Sequence, residues 1–137
     1  MSYIKIITPD NTEIRFRPYI SDAPQTCAVF LRSLPIAARA VQARFAGEEI
    51  WIPEGPALSI PQENATIELK PGELGYAPPT PRNSVGRSIA IVYGEAKLSD
   101  CVNVFAVVFD EDLDKLKQLG ERIWLGGACT LQLQAAD

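Results

Sequence analysis

Turn residues cut this chain into short pieces. Eleven prolines and nine glycines are spread over its 137 residues, and most stretches between them are β-branched or alternate polar with apolar. Tyr3–Thr8 and Glu13–Tyr19 read as the first two strands, with Pro9-Asp10-Asn11 as the turn. In the second, Ile14 and Phe16 point one way and Arg15 and Arg17 the other. "RAVQARF" passes through Ala46-Gly47 into "EEIWIP" as a hairpin, and "EGPALSIPQ" is a proline-rich loop. "ENATIEL" and "ELGYAP" read as a further hairpin turned by Pro71-Gly72, the signature of a type II turn. After the loop "PPTPRNSVG", the runs "RSIAIVYG" and "VNVFAVVFD" are apolar enough for central strands, joined by "EAKLSDC".

Two segments break this pattern with helical spacing. In "SDAPQTCAVFLRSLP", Cys27, Phe30, Leu31 and Leu34 form one apolar stripe. Asp22 is its expected N-cap, with Gln25 completing a capping box, and Pro35 stops it. In "DEDLDKLKQLG", Leu113, Leu116 and Leu119 face the core, Asp110 caps the start and Gly120 the end. "RIWLGGACTLQLQ" closes the chain as two short strands bent at Gly126-Gly127. The total is about eight to ten strands and two short α-helices, and so many short strands favour a closed β-barrel, because closure removes exposed edges. The expected class is mainly β, as a single domain over residues 1–137.

Composition narrows the chemistry. There is no histidine, which removes Ser-His-Asp and Cys-His catalysis and the usual zinc sites. Acid–base work would fall to carboxylates, lysine, tyrosine or cysteine. Cys27, Cys101 and Cys129 are odd in number and lack metal spacing, which suits reduced thiols. The net charge of -4 opposes binding to nucleic acid or an anionic membrane. The start "MSYIKIITPDNTEIRF" lacks the charged head and apolar run of a signal peptide, so a cytoplasmic location is expected. No cofactor and no metal are expected.

The run "LPIAARAVQARFAGEEIWIP", then "ENATIELKPGELGYAP", "SIAIVYGE" and "NVFAVVFDEDLDKLKQLGERIWLGGACTLQL" resembles the bacterial cyclophilin-like proteins. It is most similar to a small stand-alone family of unknown function, over about residues 3–134. The most specific parts are Pro71-Gly72-Glu73-Leu74 with Tyr76 and Pro78, and Asn103-Val104-Phe105. The resemblance implies a cyclophilin-like closed barrel and no established catalysis. True cyclophilins carry an arginine beside a proline pocket, and Arg44-Phe45 stands in the corresponding early strand. "EEIWIPEG" replaces the cyclophilin Phe-x-Met-Gln-Gly-Gly, and the pocket's histidine and tryptophan have no counterpart. Related barrels also occur as parts of bacterial enzymes acting on small amides and cyclic amino acids, an analogy of fold alone.

Candidate ligand-binding residues are Arg44, Trp51, Tyr76, Tyr93, Asn103 and Phe105. Alternation places Val41, Ala43 and Phe45 on one face and Gln42 and Arg44 on the other. Arg44 is either solvated or a guanidinium fork for a carboxylate or carbonyl. The aromatics lie on four different strands, where a barrel either converges them on a pocket or uses them to fill its core. Glu63, Asn64 and Asn103 serve turns or anchor polar groups at a pocket mouth. Glu48-Glu49 reads most simply as a solvated strand edge, and Trp124 as packing. Three functions stay open. The first is a module for small carboxylates or amides, accessory to amide or amino-acid metabolism. The others are a peptidyl-prolyl isomerase and a homo-oligomeric interaction protein pairing through "TLQLQ".

Overall fold

The computed structural model describes residues 2–81 and 86–137, so part of the 78–86 loop, residues 82–85, lies outside the described residues. Among the described residues nine strands follow in chain order: β1 Tyr3–Ile7, β2 Glu13–Pro18, β3 Ile36–Gln42, β4 Gly47–Ile52, β5 Ala65–Thr66, β6 Glu73–Tyr76, β7 Ile89–Ala96, β8 Val102–Val108 and β9 Cys129–Ala136. Helix α1 spans Pro24–Ser33 and α2 spans Leu113–Gly126, the latter entered through a 3-10 turn at Asp110–Asp112. The strand order is β2-β1-β9-β3-β4-β7-β6-β8, and β2 pairs with β8 to close eight antiparallel strands into a barrel. The short β5 adds to β8 as a ninth strand. Among the described residues no helix is long and apolar enough to cross a membrane.

Period-two patterning builds the interior. Ile4, Ile6, Ile14, Phe16, Ile50, Ile52, Ile89, Ile91, Leu131 and Leu133 share one buried cluster with Phe30 of α1 and Leu116, Leu119 and Ile123 of α2. Each such side chain stabilises the fold by about 1.5–3 kcal/mol. A second apolar cluster, Leu69, Ala77, Val92, Val102 and Val104, lies apart from the first. On β7 the two clusters take alternate residues, with Ile91 and Tyr93 in the first and Val92 in the second. The barrel wall is therefore covered on its outer side here as well, and all four residues of β6 are buried.

This outer cover corrects several expectations. Residues 63–79 do not form a hairpin: β5 pairs with β8, through Ala65↔Asn103 and Thr66↔Val102, while β6 lies between β7 and β8. Leu69 packs over the outer wall instead, and the segment is tied down by the Leu98 N–H donating to the Ile67 carbonyl at 2.9 Å. The Pro71-Gly72 turn is present: Glu73 N–H donates to the Lys70 carbonyl at 3.1 Å, and Gly72 has φ +93°. Helix α1 begins at Pro24 with Ala23 as N-cap and no cap from Asp22. The Glu63 carboxylate does that work from afar, accepting the Thr26 N–H. Asp110 opens a 3-10 turn, and α2 continues past Gly120 to Gly126, where Gly127 caps it at φ +99°. A single strand, β9, follows, and β1 and β3 occupy its two edges. "TLQLQ" therefore offers no open edge for self-pairing.

Candidate functional site

The six candidate residues do not share one concavity. Tyr76 is fully buried; its hydroxyl donates to the Pro56 carbonyl at 2.6 Å and accepts the Leu58 N–H at 2.9 Å. Burial raises its pKa above the usual phenol value. Phe105 lies in the core with its ring 4.6 Å from that of Phe30. Asn103 is also buried and organises a loop: it donates to Thr26 Oγ1 at 3.0 Å and to the Pro61 carbonyl at 2.9 Å, and accepts the Glu63 N–H at 3.1 Å. Asn64 turns the chain at φ +48° and donates to the Val104 carbonyl. Arg44 and Tyr93 line one groove, next to α2. There the Arg44 guanidinium sits 3.9 Å over the Trp124 ring, and Tyr93 donates to Gln42 Oε1 at 2.8 Å. Trp51 alone of the six lines a different cleft, on the outer wall.

That cleft is built by β4 and β7. Ile50 and Ile52 of β4 belong to the core, so the alternation places Glu49 and Trp51 on the outer face. The register sets Glu49 beside Val92 and Trp51 beside Ala90. Strand β3 ends at Gln42, and residues 43–46 turn sharply, with Ala46 N–H donating to the Ala43 carbonyl and Gly47 N–H to that of Arg44. The strand-like alternation expected through Phe45 fails there, and Phe45 is 84% exposed at the rim of the cleft. The β7–β8 connection forms the other wall with Leu98, Ser99 and Asp100, and Ser88 lies in the lining as well. Lys97 N–H donates to the Ala46 carbonyl at 2.9 Å and fastens the two walls together. The cleft itself measures about 60 Å³, far below the size of a pocket that encloses a whole ligand, so it has room for one small group with the rest of a ligand lying across its open mouth.

Glu49 is the unusual residue. It is only 4% exposed, yet its carboxyl has no hydrogen-bond or ion-pair partner among the described residues. Every fully enclosed side-chain polar atom among those residues does have a partner, so the Glu49 oxygens are not sealed in the wall but open onto the cleft. Burial pushes its pKa from 4.5 up to about 7. The neighbouring Glu48 behaves differently, since its carboxylate accepts the Glu95 N–H at 3.0 Å. The burial of Glu49 corrects the solvated strand edge that the sequence suggests at Glu48-Glu49. The available signal was its two-residue spacing from Trp51, opposite Ile50 and Ile52. The walls that bury it come from residues 43–46 and 97–101, which no local pattern joins. Among the described residues no group of three or more Cys, Asp or Glu is placed to hold a metal.

A closed antiparallel barrel with two helices is the architecture of the cyclophilin-like class. One solved relative in shape is a cyclophilin-type peptidyl-prolyl cis-trans isomerase of Cryptosporidium parvum, determined with the dipeptide Ala-Pro. It shares 19% identity and a TM-score of 0.54 over 84% of each chain. The chain belongs to the family described as protein of unknown function (DUF3830), whose profile matches residues 7–135. The hypothetical protein AF2241 of Archaeoglobus fulgidus is similar in fold, at 18% identity and TM-score 0.66 over 99% of this chain and 95% of that one. McbB, in complex with tryptophan, is similar at 13% identity and TM-score 0.70 over 98% of this chain. The chain spans only 44% of McbB's length. A search of curated proteins by sequence returned no match.

Proposed function

We propose that this protein binds a small nitrogen-bearing molecule, an amide or amine on an apolar body, in the outer cleft between β4 and β7. The observation that carries this reading is Glu49: a buried carboxyl in an apolar cleft, without a partner among the described residues, is a group awaiting a donor. Trp51 and Leu98 supply apolar surface for the ligand body, and Ser88 and Ser99 supply hydroxyls. The Glu49 carboxyl disfavours an anionic carboxylate beside it, which favours the amide over the carboxylate. Accessory work in amide or amino-acid metabolism fits the company that related barrels keep. The isomerase reading lacks support at Arg44, whose guanidinium stacks on Trp124 in the other groove.

Amide chemical-shift mapping tests the proposal, with benzamide, hydantoin, tryptophan and Ala-Pro as probes at millimolar concentration. The expected result is movement of the Glu49, Trp51, Ala90 and Leu98 signals by at least one probe. No response, or movement confined to the groove of Arg44 and Trp124, contradicts it.

A further inference from the structure

The lining also selects the charge of the ligand, on the footing that the outer cleft is the binding site. We infer that the cleft takes a small organic cation, an ammonium or amidinium group on an apolar body, with its N–H donors on the Glu49 carboxylate and its body against Trp51 and Leu98. Three observations converge on this class. Glu49 can be satisfied in its charged form only by a donor, and a cation supplies both the hydrogen bonds and the charge. Trp51 and Phe45 place aromatic surface beside the carboxyl, and aromatic faces attract cations. No lysine or arginine is in the lining among the described residues. Arg44, next to Phe45 in the chain, is held over Trp124 at 3.9 Å.

Among the described residues the groups around Glu49 are few. From the β7–β8 connection Asp100 lines the cleft; Ser88, just before β7, and Ala90 of β7 line it too, neither of them titratable in the physiological range. Glu48 on β4 is tied to the Glu95 N–H. Lys97 is exposed and outside the lining. A cation must therefore displace the proton that an empty cleft keeps on Glu49. Since that proton is lost near pH 7, affinity rises with pH across neutrality, by about tenfold from pH 6 to pH 8 for a ligand that binds only the ionised form.

Fluorescence titration tests this in a Trp124→Phe background, which leaves Trp51 as the only tryptophan. The probes are benzylamine, benzamide and benzoate, three compounds of similar shape and different charge. The expected order is benzylamine tighter than benzamide by about tenfold or more, with benzoate not binding. Benzylamine should also show the rise with pH, and Glu49→Gln should remove both its advantage and its pH dependence. Benzamide binding as tightly as benzylamine, or benzylamine affinity flat from pH 6 to pH 8, overturns the inference while leaving the cleft as a binding site. No response of Trp51 to any of the three overturns the inference and the binding proposal together. If Glu49→Gln does not fold, the pH series on the otherwise unchanged protein decides.

Discussion

At the scale of single residues, the same chemical group has opposite roles according to its partners. Tyr76 and Glu49 are both buried and polar, but the Tyr76 hydroxyl has two partners and the Glu49 carboxyl has none among the described residues. Tyr76 is a latch: it holds the 53–61 loop against the barrel through Pro56 and Leu58. Tyr76→Phe strands the Leu58 N–H and the Pro56 carbonyl, so urea denaturation should show a loss of about 1–3 kcal/mol. Ligand binding in the outer cleft should be unchanged, because Tyr76 takes no part in its lining. A Tyr76→Phe protein of full stability contradicts the latch. Tyr76 was legible as an aromatic that needs a hydroxyl partner. Which partner it finds depends on a loop some twenty residues away in sequence, and no local spacing encodes that.

At the scale of elements, periodicity was a good guide to what each segment is and a poor one to where it stops. The helix of "DEDLDKLKQLG" reads to Gly120 because glycine is the common C-terminal cap. In the structure α2 continues to Gly126, because Gly120 is where the helix meets the Tyr93 ring. A Cβ at position 120 would lie 2.5 Å from that ring. Gly120→Ala should therefore destabilise the protein by about 1–3 kcal/mol through overpacking, against a helix-propensity gain of about 1 kcal/mol. Thermal unfolding reads the sign directly, and a stabilised Gly120→Ala protein rules out close helix–strand packing there. The hairpin expected at residues 63–79 misled for a related reason. Its Pro-Gly turn was legible, but the first arm is required to cover Val92, Val102 and Val104 on the outer wall. Covering the wall and pairing with β6 are incompatible for one segment, and burial prevailed.

At the scale of the whole molecule, the closed barrel was legible because many short strands without a place for open edges leave few alternatives. The outer cleft was not, because its walls meet only once the barrel has brought residues 43–46 beside 97–101. Placing Glu49 there has a global consequence. Below about pH 4.5 the group is protonated in both folded and unfolded chains and contributes nothing. Between pH 4.5 and pH 7 the unfolded chain loses this proton while the folded one retains it, so stability falls as pH rises. Above pH 7 the penalty is complete, on the order of 3 kcal/mol from the displacement of the pKa. Glu49→Gln should match the parent protein near pH 4 and exceed it in stability near pH 8, as read by urea denaturation at the two pH values. Equal stability at both would mean that the carboxyl is not held in a dry site. The most direct measurement is the ¹³C titration of the Glu49 side-chain carboxyl in the ligand-free protein. A midpoint near pH 7 is the result predicted for an unpaired carboxyl at the base of a binding cleft. A midpoint at the ordinary glutamate value, 4.5, contradicts it.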